Sequence, residues 1–502
     1  MRGFYTPVTK IRRQVFTEIA KLAYSDTDLS YIEQLPYKII PGQVAMYRDS
    51  VFIERAIVGE RLRLAMGLPL RNMTEPQPVA NGIEECAIPE KFYEPPLVNV
   101  ISFACNACKS GVEVTEKCQG CLAHPCTSVC PVKAVSIVNG KSHIDPDKCI
   151  KCGRCKDNCP YNAIVKFERP CANACGMDAI ESDELGRAKI NYDKCVSCGM
   201  CLANCPFAAI ADKSQIFQLI TAIKNGEEII AAIAPAFVGQ FGPLATPEKV
   251  FAGIRGLGIS EVYEVAIGAD IGAVTEAHHF AHKVATDEEP FLATSCCPSW
   301  SMMAKKLFPD LAPFVSSALT PMVATARIIK KEHPHAKIVF IGPCAAKKLE
   351  AQRRSVRSDV DFVITFEELM GMFIAKDIDF GDMGSTEIEA VDQATANGRG
   401  YAISKGVTEA IVQQVHELYP DMQINTDHAE GLKECRKMLT LAKAGKRNGY
   451  LLEGMGCPGG CVAGAGTILP INKAQVAVGQ FKSKAEKKSA SENPFMKDAP
   501  TE

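Results

Sequence analysis

The sequence predicts a multidomain protein of the α+β and α/β classes, and three changes of pattern along its 502 residues support that prediction. Residues 1–95 space their apolar side chains as helices do. Residues 96–212 hold most of the cysteines in a repeated pattern. In residues 213–480, short apolar runs alternate with helical segments, which favours largely parallel sheets. Residues 481–502 form a polar tail that we expect to be mobile.

Composition argues against several classes of partner. The formal net charge is −2 and the pI is about 6.5, so no surface for nucleic acid is implied. The longest apolar candidate, residues 229–238, is too short for a membrane-spanning helix. The N-terminus has no apolar stretch of the kind found in a secretory signal. We therefore expect a cytoplasmic protein with no membrane span.

The N-terminal region is predicted to be helical. A second helix is expected over residues 51–66, capped by Asp49 or Ser50 and ended by Gly67. No catalytic or binding motif is evident in this region. It could dock onto the cysteine-rich region or onto a partner protein, and the sequence leaves both roles open. The first helix is predicted from four apolar residues on one face: Ile11, Val15, Ile19 and Leu22.

The third region is predicted to be an α/β domain. A helix begins at Thr246-Pro247-Glu248, with proline at its first position. In parallel sheets, sites form at the C-terminal ends of the strands, where the remaining cysteine motifs fall. The predicted strands are Ile229–Ala234, Val262–Ile267, Phe291–Thr294, Ile338–Ile341, Phe362–Thr365 and Tyr450–Leu452.

Cysteine is the most informative residue type. Sixteen of the 23 cysteines lie between Cys105 and Cys205. With no export signal, their CxxC spacing favours metal or iron–sulfur ligation over disulfides. A short unit follows four of them: Cys130-PVKAV, Cys159-PYNAI, Cys175-GMDAI and Cys205-PFAAI. Such internal similarity indicates duplicated supersecondary units.

The spacing CxxCxxCxxxCP is typical of bacterial ferredoxins, in which three cysteines bind one 4Fe–4S cluster and the last binds the other. Thiolate is soft and anionic, and suits iron. An inner dicluster module is predicted over residues 113–165. Its first cluster would be bound by Cys118, Cys121, Cys126 and Cys159, and its second by Cys149, Cys152, Cys155 and Cys130.

An outer dicluster module, residues 96–112 plus 166–212, is predicted to enclose the inner one. For Cys105 and Cys108, the alternative is a zinc site or a pair of free thiols. His124 is expected to be a loop residue and not a metal ligand. Four clusters predict electron transfer without naming a reaction. The third cluster would be bound by Cys105, Cys108, Cys171 and Cys205, and the fourth by Cys195, Cys198, Cys201 and Cys175.

Three further motifs carry cysteine: TSCCPSW at 294–300, IGPCAAKKLE at 341–350 and EGMGCPGGCVAGAG at 453–466. The adjacent Cys296 and Cys297 point in different directions, so two separate roles are more natural than one shared metal. A buried turn is the alternative. The glycines of the third motif allow backbone to approach a bulky cofactor. Cys435 is predicted to be a buried thiol.

These three motifs, in this order and behind a ferredoxin-like region, resemble the signature motifs of FeFe hydrogenases over residues 100–475. The Gly-Pro-Cys and Met-Gly-Cys variants look like the divergent group B. The resemblance implies a two-lobed α/β H-cluster domain and the reaction of a ferredoxin hydrogenase, reversible conversion of 2 H⁺ and 2 e⁻ to H₂. The implied H-cluster is a 4Fe–4S cubane joined to a di-iron unit with CO, cyanide and azadithiolate. Maturation enzymes and a ferredoxin-type electron carrier are the implied partners.

The resemblance also implies roles for individual residues. Cys296 would be the proton shuttle, because a thiol with a pKa near ~8.5 exchanges protons better than serine does. Lys347 would donate a charge-assisted hydrogen bond to a cyanide. The cubane ligands would be Cys297, Cys344, Cys457 and the bridging Cys461, and further cofactor contacts would come from Pro235, Ala236 and Met455.

Glu276 and Ser316 match the family's proton relay. His279 and Lys283 replace an acid and an arginine farther out, and Met322 and Gly342 replace a glutamine and a methionine. Two other functions are open: an iron–sulfur assembly or scaffold protein without the di-iron unit, and an H₂ sensor. Cys296, Lys347 and the relay spacing favour the enzyme, since a scaffold needs no proton shuttle.

Overall fold

The computed structural model describes residues 5–86, 88, 95–105, 110–384 and 391–498. The helices are α1 Pro7–Tyr24, α2 Leu35–Ile39, α3 Val51–Ala65, α4 Ile83–Cys86, α5 Pro125–Ser128, α6 Arg154–Asp157, α7 Pro170–Asn173, α8 Met200–Ala203, α9 Ile216–Lys224, α10 Pro247–Gly256, α11 Ala266–His279, α12 Pro298–Leu307, α13 Pro321–Glu332, α14 Ala345–Ala351, α15 Phe366–Ala375, α16 Ala396–Gly400, α17 Gly406–Leu418, α18 Leu432–Lys443 and α19 Ile471–Lys484.

The strands are β1 Val98–Val100, β2 Gly111–Val114, β3 Val135–Val138, β4 Lys141–Ile144, β5 Ile164–Phe167, β6 Ile180–Ser182, β7 Ala188–Ile190, β8 Ile210–Asp212, β9 Ile229–Ile233, β10 Glu261–Glu264, β11 Phe291–Ala293, β12 Lys337–Gly342, β13 Phe362–Thr365, β14 Asn425–Glu430 and β15 Tyr450–Met455. Among the described residues, no helix combines the length and apolarity that a membrane crossing requires.

The predicted N-terminal helices are present. The four apolar residues on one face of α1 are all buried, and Ser50 caps α3. The α1 face packs against α15 and α9 and shares the core of the α/β domain. The Arg61 side chain donates hydrogen bonds to the carbonyls of Ala208 and Ile210 in the cysteine-rich region, at 2.7 and 3.1 Å. This region therefore docks onto both of the other regions.

The cysteine-rich region is built from short antiparallel strand pairs. Strands β1 and β8, near its two ends, pair with each other, and β2 pairs with β5 inside them. Two hairpins, β3–β4 and β6–β7, complete it. Lys306 on α12 fixes it to the α/β domain, because its Nζ donates to the carbonyls of Asp193 and Cys195 at 2.6 and 3.0 Å.

The α/β domain has two parallel sheets, as the alternating pattern predicts. One has the strand order β10-β9-β12-β13 and the other β11-β15-β14. The strand expected over 262–267 ends early, because α11 begins at Ala266. Strand β14 was not predicted from the sequence, since its residues NTDHAE are polar and largely exposed, as an edge strand allows.

The expectation of a mobile tail from residue 481 is wrong as far as Asp498. Helix α19 runs to Lys484, and the following segment packs back onto the domain with Ala490 fully buried. The Asn493 side chain donates to Asp270 Oδ2 on α11 at 2.7 Å. Specific hydrogen bonds hold this polar segment, and composition does not reveal them.

Candidate metal centres and active site

The four repeated units of the cysteine-rich region share one backbone conformation. Three residues after each cysteine, a residue adopts the left-handed region, which non-glycine residues rarely do. In three units the next N–H donates to the cysteine sulfur, at 3.2–3.4 Å. Such donors stabilise a thiolate. The left-handed residues are Lys133 (φ 51°), Asn162 (50°), Asp178 (51°) and Ala208 (55°).

The structure brings these cysteines close together within each module. One cavity of the inner module is lined by Cys118, Cys121, Cys126 and Cys159. In the core of the same module, Cys130, Cys149 and Cys155 pack together with Cys126 and Cys159, while Cys152 is exposed. In the outer module, one packed group holds Cys105, Cys171, Cys201 and Cys205, another holds Cys175 and Cys198, and Cys195 packs against both, so Cys201 lies with the cysteines expected on the third cluster. Cys108 lies outside the described residues.

The thiols surround cavities without converging on a point. Within the described ranges, no three His, Cys, Asp or Glu side chains are close enough together to hold one metal ion. A cubane differs from a single ion because each of its four thiolates binds a different iron corner.

The outer module touches the α/β domain at a cysteine motif. A Cβ placed on Gly199 would lie 2.6 Å from Ala465 Cβ and 3.1 Å from Ala345 Cβ. The residue after Cys198 therefore packs against the residue after Cys344. Burial raises the pKa of Cys198 to about 12, and the charge of Cys344 adds to that shift.

A buried cavity lies at the C-terminal ends of strands from both sheets. Its wall contains nearly every cofactor-contacting residue that the sequence suggested, and it is otherwise apolar. Its volume of about 80 Å³ exceeds the ~10–15 Å³ that one water needs, so it can hold a group of several atoms. The wall includes Cys296, Cys297, Cys344, Cys457, Cys461, Pro235, Ala236, Lys347 and Met455.

The TSCCPSW loop is held rigidly at the edge of this cavity. Trp300 is fully buried, and its Nε1 donates to the carbonyl of Thr294 at 2.9 Å. Its ring covers Gly454, where a Cβ would come within 2.1 Å. Cys297 precedes the first residue of α12, and its sulfur accepts a hydrogen bond from the N–H of Gly456 at 3.4 Å.

Cys296 has a different environment from its neighbour. Burial raises its pKa well above the ordinary value for a thiol, and the charges of Glu276 and Cys297 raise it further. The expectation of an ordinary thiol pKa is therefore wrong for this site. The thiol is held in its protonated form at neutral pH, as a proton donor must be.

Glu276 on α11 lies behind Cys296 and is almost fully buried. Burial raises its pKa to about 7, although hydrogen bonds from the Ser316 side chain and the Ser295 N–H oppose the rise. Ser316 is fixed in turn, since its N–H donates to the carbonyl of Ala293 at 2.7 Å. A carboxyl group with a pKa near neutrality can both accept and release a proton.

On the outer part of the expected proton relay, His279 and Lys283 depart from the family pattern, and each pairs with a different glutamate. His279 Nε2 lies 3.0 Å from Glu289 Oε2, and both side chains are about three-quarters buried. Lys283 pairs with Glu288 at the surface, at 2.5 Å. Met322 lines the cavity, and the ring of Phe340 occupies the space beside Gly342.

Lys347 brings a positive charge to the cavity. Its Nζ forms a buried ion pair with Glu350 Oε2 at 2.6 Å, and an ammonium group has three N–H donors. Burial raises the pKa of Cys344 to about 11, and the Lys347 charge opposes this rise. The ammonium group therefore keeps hydrogen-bonding capacity for a group in the cavity.

Sequence reasoning missed Tyr401. It lines the cavity with the five cysteines, and its hydroxyl is buried without a hydrogen-bond partner among the described residues. No motif marks it, because it follows the short helix α16 far from any cysteine. Cys435, by contrast, is the buried thiol that was expected, at 0% exposure on α18. Five thiols, an apolar wall, the Lys347 ammonium group and the unpartnered Tyr401 hydroxyl fit a thiolate-bound cofactor that carries acceptor atoms.

Comparison with known families agrees with this site. Residues 227–465 match the iron only hydrogenase large subunit, C-terminal domain. Residues 142–165 match a 4Fe-4S binding domain and residues 166–216 the LdpA Fe-S cluster-binding domain. These matches agree with the resemblance to FeFe hydrogenases that the cysteine motifs indicate.

The chain is similar to iron hydrogenase 1 of Clostridium pasteurianum, with 27% identity over 64% of this chain and 64% of that protein. It is 28% identical to the periplasmic [Fe] hydrogenase large subunit of Nitratidesulfovibrio vulgaris, over 64% of this chain and 85% of that one. Protein NAR1 of Arabidopsis thaliana is 24% identical over 52% of this chain and 69% of its own. A solved apo [FeFe]-hydrogenase from Chlamydomonas reinhardtii superposes with a TM-score of 0.47 at 22% identity, covering 54% of this chain and 88% of that one. The low sequence identity to the hydrogenases and to Protein NAR1 fits a divergent relative of FeFe hydrogenases.

Proposed function

We propose that the chain is an FeFe hydrogenase that interconverts 2 H⁺ plus 2 e⁻ and H₂. The observation that carries the proposal is a cavity lined by five cysteines and Lys347, with the charge of Glu276 acting on Cys296 and the Ser316 hydroxyl hydrogen-bonded to Glu276. A thiol that can donate a proton thus adjoins a set of thiols that can hold metal.

The residues of the cavity suit an H-cluster. Its cubane would be held by Cys297, Cys344, Cys457 and Cys461, with Cys461 as the bridging thiolate. When bound, the H-cluster would supply the redox chemistry that joins protons and electrons. Lys347 would donate a hydrogen bond to a cyanide, and Pro235, Ala236 and Met455 would enclose the cofactor and exclude water.

The proton route starts at Cys296, whose Sγ holds a proton because burial disfavours the thiolate. Glu276 resupplies it from the other side, and the Ser316 hydroxyl orients the Glu276 carboxylate through its hydrogen bond. From there we place the outward route at His279 and Glu289, which approach to 3.0 Å.

Electrons would travel through four 4Fe–4S clusters from a ferredoxin-type carrier. Pairing of β1 with β8 around β2 and β5 supports two nested dicluster modules. The cavity shared by Cys118, Cys121, Cys126 and Cys159 supports the crosswise ligand assignment. The packing of Gly199 against Ala345 supports the fourth cluster as the last one before the H-cluster.

A second candidate is an iron–sulfur assembly factor. The relatives favour it about as well, since they include Protein NAR1 and a probable cytosolic Fe-S cluster assembly factor of Aedes aegypti, 26% identical over 46% of this chain. An assembly factor does not transfer protons to a substrate, so it does not require a buried Cys296 thiol near Glu276 and Ser316. We therefore place hydrogenase activity first.

Anaerobic co-expression with hydrogenase maturation enzymes tests the proposal. H₂ evolution from a reduced small-molecule dye should appear in the matured chain and be absent from the chain expressed without maturation. Cys461→Ser should abolish it, while Cys435→Ser, which alters a buried thiol outside the cavity, should keep it. A matured wild type with full iron–sulfur content and no H₂ evolution would favour the assembly factor.

A further inference from the structure

Two buried polar atoms in the cavity wall have no hydrogen-bond partner among the described residues. They are Lys347 Nζ and Tyr401 Oη. Lys347 Nζ has an ion-pair partner in Glu350 Oε2, at 2.6 Å, whereas Tyr401 Oη has none among the described residues. Buried polar groups are nearly always hydrogen-bonded, so Tyr401 calls for a partner that the chain itself does not supply. Lys347 was already expected to donate to a bound cofactor, because of its place in the second motif. The hydrogen-bond criterion selects Tyr401, which no motif marks.

The Tyr401 ring is held firmly in place. Its residue is 6% exposed, and Oη lies 3.9 Å from the point where a Cβ on Gly272 would sit, one turn before Glu276 on α11. The following residue, Ala402, accepts a hydrogen bond from the Val462 N–H at 3.1 Å. The segment with Tyr401 is thereby tied to the turn that carries Cys461.

The hydroxyl is available as a donor. Burial raises the pKa of Tyr401 well above the ordinary value for a phenol, and the nearby charges of Glu276 and Cys296 raise it further. Neither group forms a hydrogen bond with Oη in the described structure. A phenylalanine would fill the same volume without burying an unsatisfied hydroxyl, which is costly inside a protein.

We propose that Tyr401 donates a hydrogen bond from Oη to an acceptor atom of the di-iron part of the group bound in the cavity, as a second donor in addition to Lys347. This inference rests on the proposed function for the identity of the group. The di-iron part is the source of acceptors other than sulfur, since the cubane is surrounded by thiolates. Tyr401 thereby orients the bound group on the side of Cys296.

The full chain expressed without maturation enzymes tests the first half of the inference. Tyr401→Phe should leave its Tm unchanged or raise it by roughly 1–2 °C, because an unsatisfied hydroxyl is removed. Tyr24→Phe is a matched control, since the Tyr24 hydroxyl is also buried without a partner but lies on α1, away from the cavity. A clear loss of Tm in Tyr401→Phe alone would overturn the inference, because the hydroxyl would then have a partner within the chain.

The matured chain tests the second half by infrared spectroscopy. Tyr401→Phe should shift at least one CO or cyanide band and lower the Tm of the matured protein, while Tyr24→Phe should change neither. Unmoved bands in Tyr401→Phe would overturn this inference and leave the proposed function standing. A matured wild type without such bands would overturn both.

Discussion

The cysteine-rich region and the buried cavity use the same side chain in opposite ways. In the cysteine-rich region, sulfurs in short local turns accept hydrogen bonds from backbone N–H groups two or four residues farther along the chain, as at Cys130, Cys149, Cys159, Cys175 and Cys195. In the cavity, the sulfurs come from three motifs far apart in sequence and meet because parallel strands end there. Local turns can be repeated along a chain, whereas the cavity forms only when the whole α/β domain has folded.

The protonation of the thiols depends on burial in both regions, since burial raises the pKa of Cys155 in the inner module and raises that of Cys198 in the outer module to about 12. Backbone donors of Ser142 and Gly120 lower the pKa of Cys118 in the inner module. In the cavity, burial raises the pKa of Cys296 and Cys344. Backbone donors at an exposed turn favour the thiolate, whereas burial keeps a proton on a sulfur that metal does not bind. In the adjacent pair, Cys296 can therefore transfer protons while Cys297 binds metal.

The largest expected effect concerns that division of roles. Cys296→Ala should leave the iron content of the matured protein unchanged and lower H₂ evolution by about 100-fold or more, since it removes the proton donor. Iron analysis and a dye-driven assay check it, with Cys435→Ala as the control. Near wild-type H₂ evolution in Cys296→Ala would make the shuttle assignment wrong.

A cysteine of the inner module should behave differently. Cys155→Ala should lose about four of the ~22 iron atoms that four accessory clusters and one H-cluster predict. We expect H₂ evolution driven by a ferredoxin-type carrier to fall about tenfold, and evolution driven by a small dye to change less. Equal losses with both donors would show that the inner module also supports the cavity. A wild-type count near 14 would contradict the nested modules.

Asp270 tests whether the cavity domain depends on buried long-range polar contacts. Burial raises its pKa to about 7, although Thr395 and Asn493 donate hydrogen bonds to it. The folded pKa exceeds the unfolded value of about 3.9, so protonated Asp270 contributes most to the free energy of unfolding below pH ~4. This stabilisation is lost as the pH rises to ~7, by at most ~1.4 kcal/mol per pH unit. Asp270→Asn should flatten the dependence of Tm on pH between 5 and 7. An unchanged slope of Tm against pH would mean that a group other than Asp270 titrates in this range.

The smallest effect concerns the contact between the two regions. Lys306→Ala removes two hydrogen bonds to backbone carbonyls of the outer module and should lower its stability by about 1 kcal/mol. Hydrogen exchange of the outer module measures this, and Lys305→Ala on the same helix is the control. If the two variants exchange alike, Lys306 does not hold the regions together.

Features that depend on neighbouring residues in sequence could be predicted. The capped helices α3 and α10, the buried strands of both sheets and the repeated cysteine turns all follow from local patterns. Features that depend on distant contacts could not. Strand β14 is a polar edge strand, Asn493 is buried by a partner on α11, and Tyr401 reaches the cavity from a loop with no motif.

The most direct test of the central claim is infrared spectroscopy of the anaerobically matured wild-type chain beside Cys461→Ser and Cys435→Ser. If the cavity holds an H-cluster on Cys297, Cys344, Cys457 and Cys461, the wild type and Cys435→Ser will show CO and cyanide bands, and Cys461→Ser will not. Absence of these bands from a wild type with its accessory clusters in place would contradict the account.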